Sequence, residues 1–242
     1  MRKERDGLGE AELPDDALYG LQSLRAQDNF SLNYKSVHRR LIRAMVTVKK
    51  AAALTWGKLG VKQEVYRAVT EACDRITADL DLTDGGTLTG QFIVDALQGG
   101  AGTSLNMNVN EVLANLALAI LGKESGDYGA VHPLDDVNRG QSTNDVYPTA
   151  LRIAAVELLR EVSGECARLQ EALQKKETEF AGIKKLGRTE LMDAVPVTLG
   201  EEFGAYAQAI ARDRWRLYKA EERLRQVNIG GAAVGLQAVS EK

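Results

Sequence analysis

Thr143–Phe180 reads TNDVYPTALRIAAVELLREVSGECARLQEALQKKETEF, and its apolar spacing decides the fold class. Leu151, Ala155, Leu158, Val162, Cys166, Leu169 and Leu173 step by three or four residues. That heptad-like stripe predicts one long helix from about Thr143 to Phe180. Pro148 is expected in its first turn, where a missing N–H costs nothing. A second long helix is predicted from about Thr198 to Asn228, with Leu199, Phe203, Tyr206, Ile210, Leu217 and Leu224 on one face and Gly230-Gly231 ending it. Helices this long with one narrow apolar stripe usually belong to a bundle, often an oligomeric one.

Working outward, Asp84-Gly85-Gly86 punctuates the chain after a predicted helix over 62–82, whose Val65, Ala68, Val69, Ala72, Cys73 and Ile76 recur at helical spacing. Before it, Ser36 is expected to cap a helix through Val46, Val48, Ala51 and Leu54 that stops by Gly57 or Gly60. The first 35 residues suggest an irregular arm with a hairpin and a short helix near Asp15–Tyr19. Gln98–Ser104 is a Gly-rich loop opening onto a helix over 105–121, and 123–141 read as loop. The expected architecture is mainly α: an irregular N-terminal helical domain over 1–140, then part of a long-helix bundle domain over 141–242. No βαβ alternation, internal repeat or low-complexity tract is present.

Composition narrows the function classes. The chain has 242 residues, 44% hydrophobic and 27% charged, with net charge −3. No basic excess exists to neutralise phosphates, so a nucleic-acid partner is not expected. No apolar run reaches membrane-spanning length, and the charged start has no apolar segment of the signal-peptide kind. The two cysteines, Cys73 and Cys166, are far apart. They suggest reduced thiols and a cytoplasmic location rather than a disulfide framework or a metal site.

Three loops carry candidate chemistry. In Gly99–Ser104 the glycines allow close backbone approach, and Thr103 and Ser104 open a helix whose N-terminus suits an anion. Read alone, this is an ordinary capped loop. No Gly-Lys-[Ser/Thr] follows it, so it is no phosphate loop. In Gln141–Asp145, Ser142, Thr143 and Asn144 offer more donors than a helix cap needs. Cap and carboxylate cradle both stay open there. Leu186–Pro196 is expected as an irregular link rich in Arg, Thr, Glu and Asp, while surface loops are polar anyway. His38, in a charged run, is expected to be solvated.

Together the loops resemble the aspartase/fumarase superfamily. The resemblance rests on Gln98–Glu111 (QGGAGTSLNMNVNE), His132–Pro148 (HPLDDVNRGQSTNDVYP) and Gly187–Phe203 (GRTELMDAVPVTLGEEF), with Ala17-Leu18-Tyr19-Gly20 and Arg25-Ala26 near the start. Ala101-Gly102-Thr103 and Ala194-Val195-Pro196 lean to the aspartase branch. The resemblance implies elimination of ammonia from L-aspartate to give fumarate through an aci-carboxylate, with fumarate hydration as the alternative. It implies that Thr103, Ser142, Thr143, Asn144 and Thr189 contact a dicarboxylate and that the assembly is a homotetramer. No cofactor or metal is expected. The His132-Pro133-Leu134-Asp135 turn resembles a second anion site, His132 and Asp135 being its residues, with Leu134 where Asn is usual.

Two departures stand out. Glu190 follows Thr189 where relatives carry His or Gln. A carboxylate there has the chemistry to pair with a substrate ammonium or to act as acid or base, and is the catalytic candidate. The serine loop S-S-x-M-P-x-K-x-N, which supplies the family's base, does not occur in residues 1–242, and Gly235-Leu236-Gln237-Ala238 replaces the usual Gly-Thr-Gly-Leu-Asn. These 242 residues alone are therefore expected not to run the elimination, and a non-catalytic helical fragment is the alternative from another class.

Overall fold

The computed structural model describes residues 1–32, 35–82 and 86–235. Asp84-Gly85 and Leu236-Gln237-Ala238, singled out above, lie outside the described residues. The order is β1 (Arg2–Asp6), β2 (Gly9–Leu13), α1 (Leu21–Asn29), α2 (Arg39–Lys58), α3 (Gln63–Leu80), α4 (Thr103–Ile120), α5 (Thr143–Glu179), β3 (Lys184–Thr189), β4 (Met192–Thr198) and α6 (Leu199–Leu224). The mainly α class is as expected. The chain divides into two compact units, residues 1–154 with 227 onward, and residues 155–226.

In the first unit α4 is the central element. Every residue from Ser104 to Leu118 is buried, apolar and polar side chains alike. α2 and α3 form a helical hairpin beside it, joined by Ile42, Met45, Val46, Val69, Ala72, Cys73 and Ile76 in one hydrophobic core with Leu105, Val109, Val112 and Leu113 of α4. Burial demands partners for the polar side chains of α4, and their nitrogens find them, while the Oδ1 atoms of Asn106, Asn108 and Asn110 have none among the described residues. Asn108 Nδ2 donates to Gln91 O at 3.0 Å. Asn115 Nδ2 donates to Leu18 O at 2.8 Å, while its Oδ1 accepts from Gly126 N at 2.8 Å. Glu111 accepts from the backbone N–H groups of Gly20, Gln22 and Ser23 at 2.9–3.1 Å and from the Ser23 hydroxyl. Burial raises its carboxyl pKa, against those four hydrogen bonds. α4 thus secures the surrounding loops through hydrogen bonds that span up to 97 residues.

Several local expectations are corrected. The short helix lies at Leu21–Asn29, not Asp15–Tyr19, because its N-terminus is capped by the distant carboxylates Glu111 and Glu4. His38, not Ser36, caps α2: its Nδ1 accepts from Arg40 N at 3.2 Å, while Ser36 pairs with Asp95 in an isolated bridge. Residues 123–141 include a single π-helical turn, Pro133–Val137. Pro148 falls in the second turn of α5, so the Asn144 carbonyl has no backbone N–H four residues on. Asn228 Nδ2 donates to that carbonyl instead, at 3.0 Å.

The second unit contains the rest of α5, the hairpin β3–β4 and α6. The expected irregular link is an antiparallel hairpin pairing Thr189 with Met192 across a two-residue turn. Glu190 and Leu191 form that turn with φ of 52° and 65°, the conformation that matches strand twist. Asn-Gly usually marks such turns, and its absence hid this one. Thr198 caps α6 in a reciprocal box: Glu201 N donates to Thr198 Oγ1 at 3.0 Å and Glu201 Oε2 accepts from Thr198 N at 2.8 Å. A Cβ on Gly200 would meet the Ala181 backbone at 2.8 Å, so only glycine lets α6 begin this close to the end of α5. α6 ends at Leu224, a turn earlier than expected. Leu158, Val162, Leu169, Trp215 and Tyr218 are exposed.

Candidate functional site

The first and second loops meet in the first unit. Gly100 and Gly102 have φ of 71° and 84°, which turns the chain into α4. Gly102 has no side chain to cap α4, and Gln98 Oε1 accepts from Leu105 N at 2.8 Å instead. The Tyr147 ring lies against Gly102, in the space a Cβ would need. Thr103 is exposed at the first position of α4.

In the second loop Ser142 is the cap. Its hydroxyl accepts from Asn144 N at 3.2 Å, and Asp145 Oδ1 accepts from Ser142 N at 3.0 Å. Asp145 is fully buried, and its other oxygen accepts from Ala232 N at 2.9 Å. The Asn144 amide donates to Ala233 O at 3.4 Å. Thr143 takes no part in the cap. Its hydroxyl oxygen accepts from Asn106 Nδ2 of α4 at 2.9 Å, which ties the two loops together. Cap and cradle are therefore both possible at once, with Ser142 capping and Thr143 held apart from it.

Beneath Thr143 lies a polar cluster that sequence reasoning missed. Asn138 Oδ1 accepts from Lys49 Nζ at 2.6 Å, Asn106 Nδ2 at 3.2 Å and Asn110 Nδ2 at 3.3 Å. Asn138 Nδ2 donates to Gln141 O at 3.1 Å. Lys49 is fully buried, and desolvation pushes its ammonium down to about 7 despite the nearby Asp145. The available signal was polar residues set inside apolar helices: Lys49 in α2, and Asn106, Asn110 and Glu111 in α4.

Lys49 gives the fold a defined pH dependence. Between about 7 and its ordinary 10.5 the unfolded chain holds a proton that the native chain has released. Stability therefore rises with pH across that window, by at most about 1.4 kcal/mol per pH unit. Urea unfolding at about pH 6, 7.5 and 9 is expected to show this slope above neutrality. Lys49→Met is expected to flatten it, and an unchanged slope would assign the dependence to another group.

His132 and Asp135 do lie together: His132 Nδ1 accepts from Leu134 N at 3.2 Å and Asp135 N at 3.1 Å, and stands 3.4 Å from Asp135 Oδ2. The imidazole thus caps the π-helical turn. Thr189 and Glu190 belong to the second unit, both exposed, Glu190 at the hairpin tip. Beside them Arg188 and Asp193 form an exposed pair at 3.2 Å. No group of three or more potential metal ligands occurs among the described residues, and no helix there is long and apolar enough to cross a membrane.

Gly-rich and Ser-Thr-Asn loops at two helix N-termini are suited to holding an anion. The model of the Lyase family matches residues 9–242, and the chain belongs to that family. Aspartate ammonia-lyases from a Bacillus species and from Corynebacterium glutamicum are 45% and 47% identical to it, each over 97% of this chain. Those alignments take in 49% and 44% of the two relatives, so the chain spans about half their length. Among solved structures, a Brucella melitensis fumarate lyase:delta crystallin aligns with TM-score 0.93 and 47% identity, over 99% of this chain and 51% of its own. A class II fumarase from Schistosoma mansoni aligns at 0.90 with 31% identity, over 100% of this chain and 50% of its own. The resemblance to the aspartase/fumarase superfamily is borne out.

Proposed function

We propose that this chain carries the carboxylate-binding loops of an aspartate ammonia-lyase, which eliminates ammonia from L-aspartate to give fumarate. The observation that carries this is Thr143, a hydroxyl excluded from the helix cap and fixed by Asn106 at the start of α5. The identity to aspartate ammonia-lyases, 45–47% in the two relatives above, favours deamination over hydration.

The chemistry sets the demand. A proton on the carbon next to a carboxylate is only weakly acidic, so its removal requires a site that stabilises an aci-carboxylate dianion. Preorganised donors aimed at the developing charge supply that. In this reading Thr103, Ser142 and Thr143 hold the carboxylate, Asn144 lies near the amino group, and the three loops of one site come from different subunits, Thr189 and Glu190 on the hairpin among them. The exposed Glu190 carboxylate pairs with the substrate ammonium or moves its proton. The turn of His132 and Asp135 serves a second anion. The 1–140 and 141–242 domains, a homotetramer built on the exposed stripes of α5 and α6, and a cytoplasmic location complete it.

Calorimetric titration of the 242-residue chain with fumarate tests this. A saturable isotherm is expected, about tenfold weaker in Thr143→Val for one hydrogen bond to a charged group. With L-aspartate added, fumarate absorbance is expected to stay flat, since no serine loop occurs in these residues. Absence of fumarate binding would remove the proposal, and malate formation from fumarate would move it to the hydratase branch.

A further inference from the structure

The buried cluster below Thr143 has a fixed direction. Lys49 Nζ can only donate here, so the oxygen of Asn138 that it meets at 2.6 Å must be the acceptor. The other end of Asn138 faces the Gln141 carbonyl at 3.1 Å, a group that can only accept, so the amide nitrogen must lie there. Two independent neighbours thus fix the orientation of Asn138.

Asn106 inherits that orientation. Its group facing Asn138 Oδ1 at 3.2 Å must be the NH2, and that same NH2 faces Thr143 Oγ1 at 2.9 Å. An NH2 has two hydrogens and both are now assigned. Asn110 Nδ2, at 3.3 Å from Asn138 Oδ1, adds a third donor to one oxygen. Lys49, Asn106 and Asn110 are each at most 1% exposed, so bulk water does not compete for these bonds. The Thr143 hydroxyl receives from Asn106, and among the described residues no acceptor on that side takes its hydrogen.

We infer that Asn106 and Asn138, oriented by Lys49, are positioning residues that hold Thr143 as a hydrogen-bond donor facing away from the core, toward a carboxylate. This rests on the carboxylate-binding role proposed above and adds where its selectivity for anions comes from. A hydroxyl free to rotate would accept as readily as donate. With one of the two lone pairs of Thr143 Oγ1 taken from behind, its hydrogen lies on the far side, where a carboxylate offers the acceptor. The direction survives loss of the Lys49 proton, because the Gln141 carbonyl, which can only accept, still holds the Asn138 amide nitrogen on its side.

Two measurements test it. Neutron diffraction from the deuterated chain is expected to place the Thr143 deuteron away from Asn106, with both Asn106 Nδ2 deuterons directed at Asn138 Oδ1 and Thr143 Oγ1. A Thr143 deuteron lying on the line to Asn106 would overturn the inference. The second is a double-substitution cycle on fumarate affinity. Asn106→Leu is expected to weaken binding about three- to tenfold, the range of one net hydrogen bond, and to have no effect in the Thr143→Val background. An equal loss in both backgrounds, as a purely structural role would give, contradicts the inference. If Thr143→Val alone changes nothing, the carboxylate-binding proposal fails, and the neutron result still decides the direction.

Discussion

Glu111→Ala is expected to destabilise the chain by about 4 kcal/mol. The carboxylate is 3% exposed and accepts from Gly20, Gln22 and Ser23, residues 88 to 91 positions away. Alanine would leave the Gly20 and Ser23 donors buried without an acceptor and open a void beside α1. No local residue can replace them, because Gly20 at the head of α1 has no side chain. Urea unfolding measures the loss. Amide hydrogen exchange locates it: the Gln22 and Ser23 amides are expected to exchange faster than those of α2. A loss below about 1 kcal/mol with unchanged exchange would mean that α1 holds its place without this carboxylate.

Gly102→Ala is the second large effect, and it falls on the loops themselves. Its φ of 84° is left-handed, which costs an L-residue about 1–2 kcal/mol. The added methyl would also run into the Tyr147 ring, an overpacking cost of about 1–3 kcal/mol. A total near 3 kcal/mol is expected from thermal or urea unfolding. Tyr147→Ala added to Gly102→Ala is expected to recover only the packing share, judged against Tyr147→Ala alone. Failure to recover any would assign the whole effect to the backbone. Fumarate affinity is expected to fall with Gly102→Ala, since this contact sets the first loop against the second.

Most of the helices were legible in the sequence because each has one apolar stripe. The stripes of α2, α3, α5 and α6 alternate with solvated positions, and that period is visible without any tertiary knowledge. α1 was not legible, because its cap comes from Glu4 and Glu111, and no local pattern records so distant a partner. The hairpin was missed because Glu190-Leu191 is a poor sequence for its turn, held in place by the strand pairing around it. Of the candidate site, the hydroxyls of Thr103, Ser142 and Thr143 were readable as types suited to anions. The division of labour between Ser142 and Thr143 was not. It depends on Asn106 and Asn138, whose partners lie on other elements.

The hairpin tip has a consequence for how this scaffold can change. α5 and α6 are fastened at the base of the hairpin by Leu199 N to Ile183 O at 2.8 Å and Gly200 N to Phe180 O at 3.1 Å. Glu190 and Leu191 stand outside that fastening, and Leu191 is fully exposed. The scaffold therefore places almost no folding constraint on the identity of residue 190, and asks only that it accept a left-handed backbone. One codon there can exchange carboxylate for amide or imidazole without disturbing the helices. The chemistry of this position is free to drift or be selected while the architecture that carries it is inherited intact.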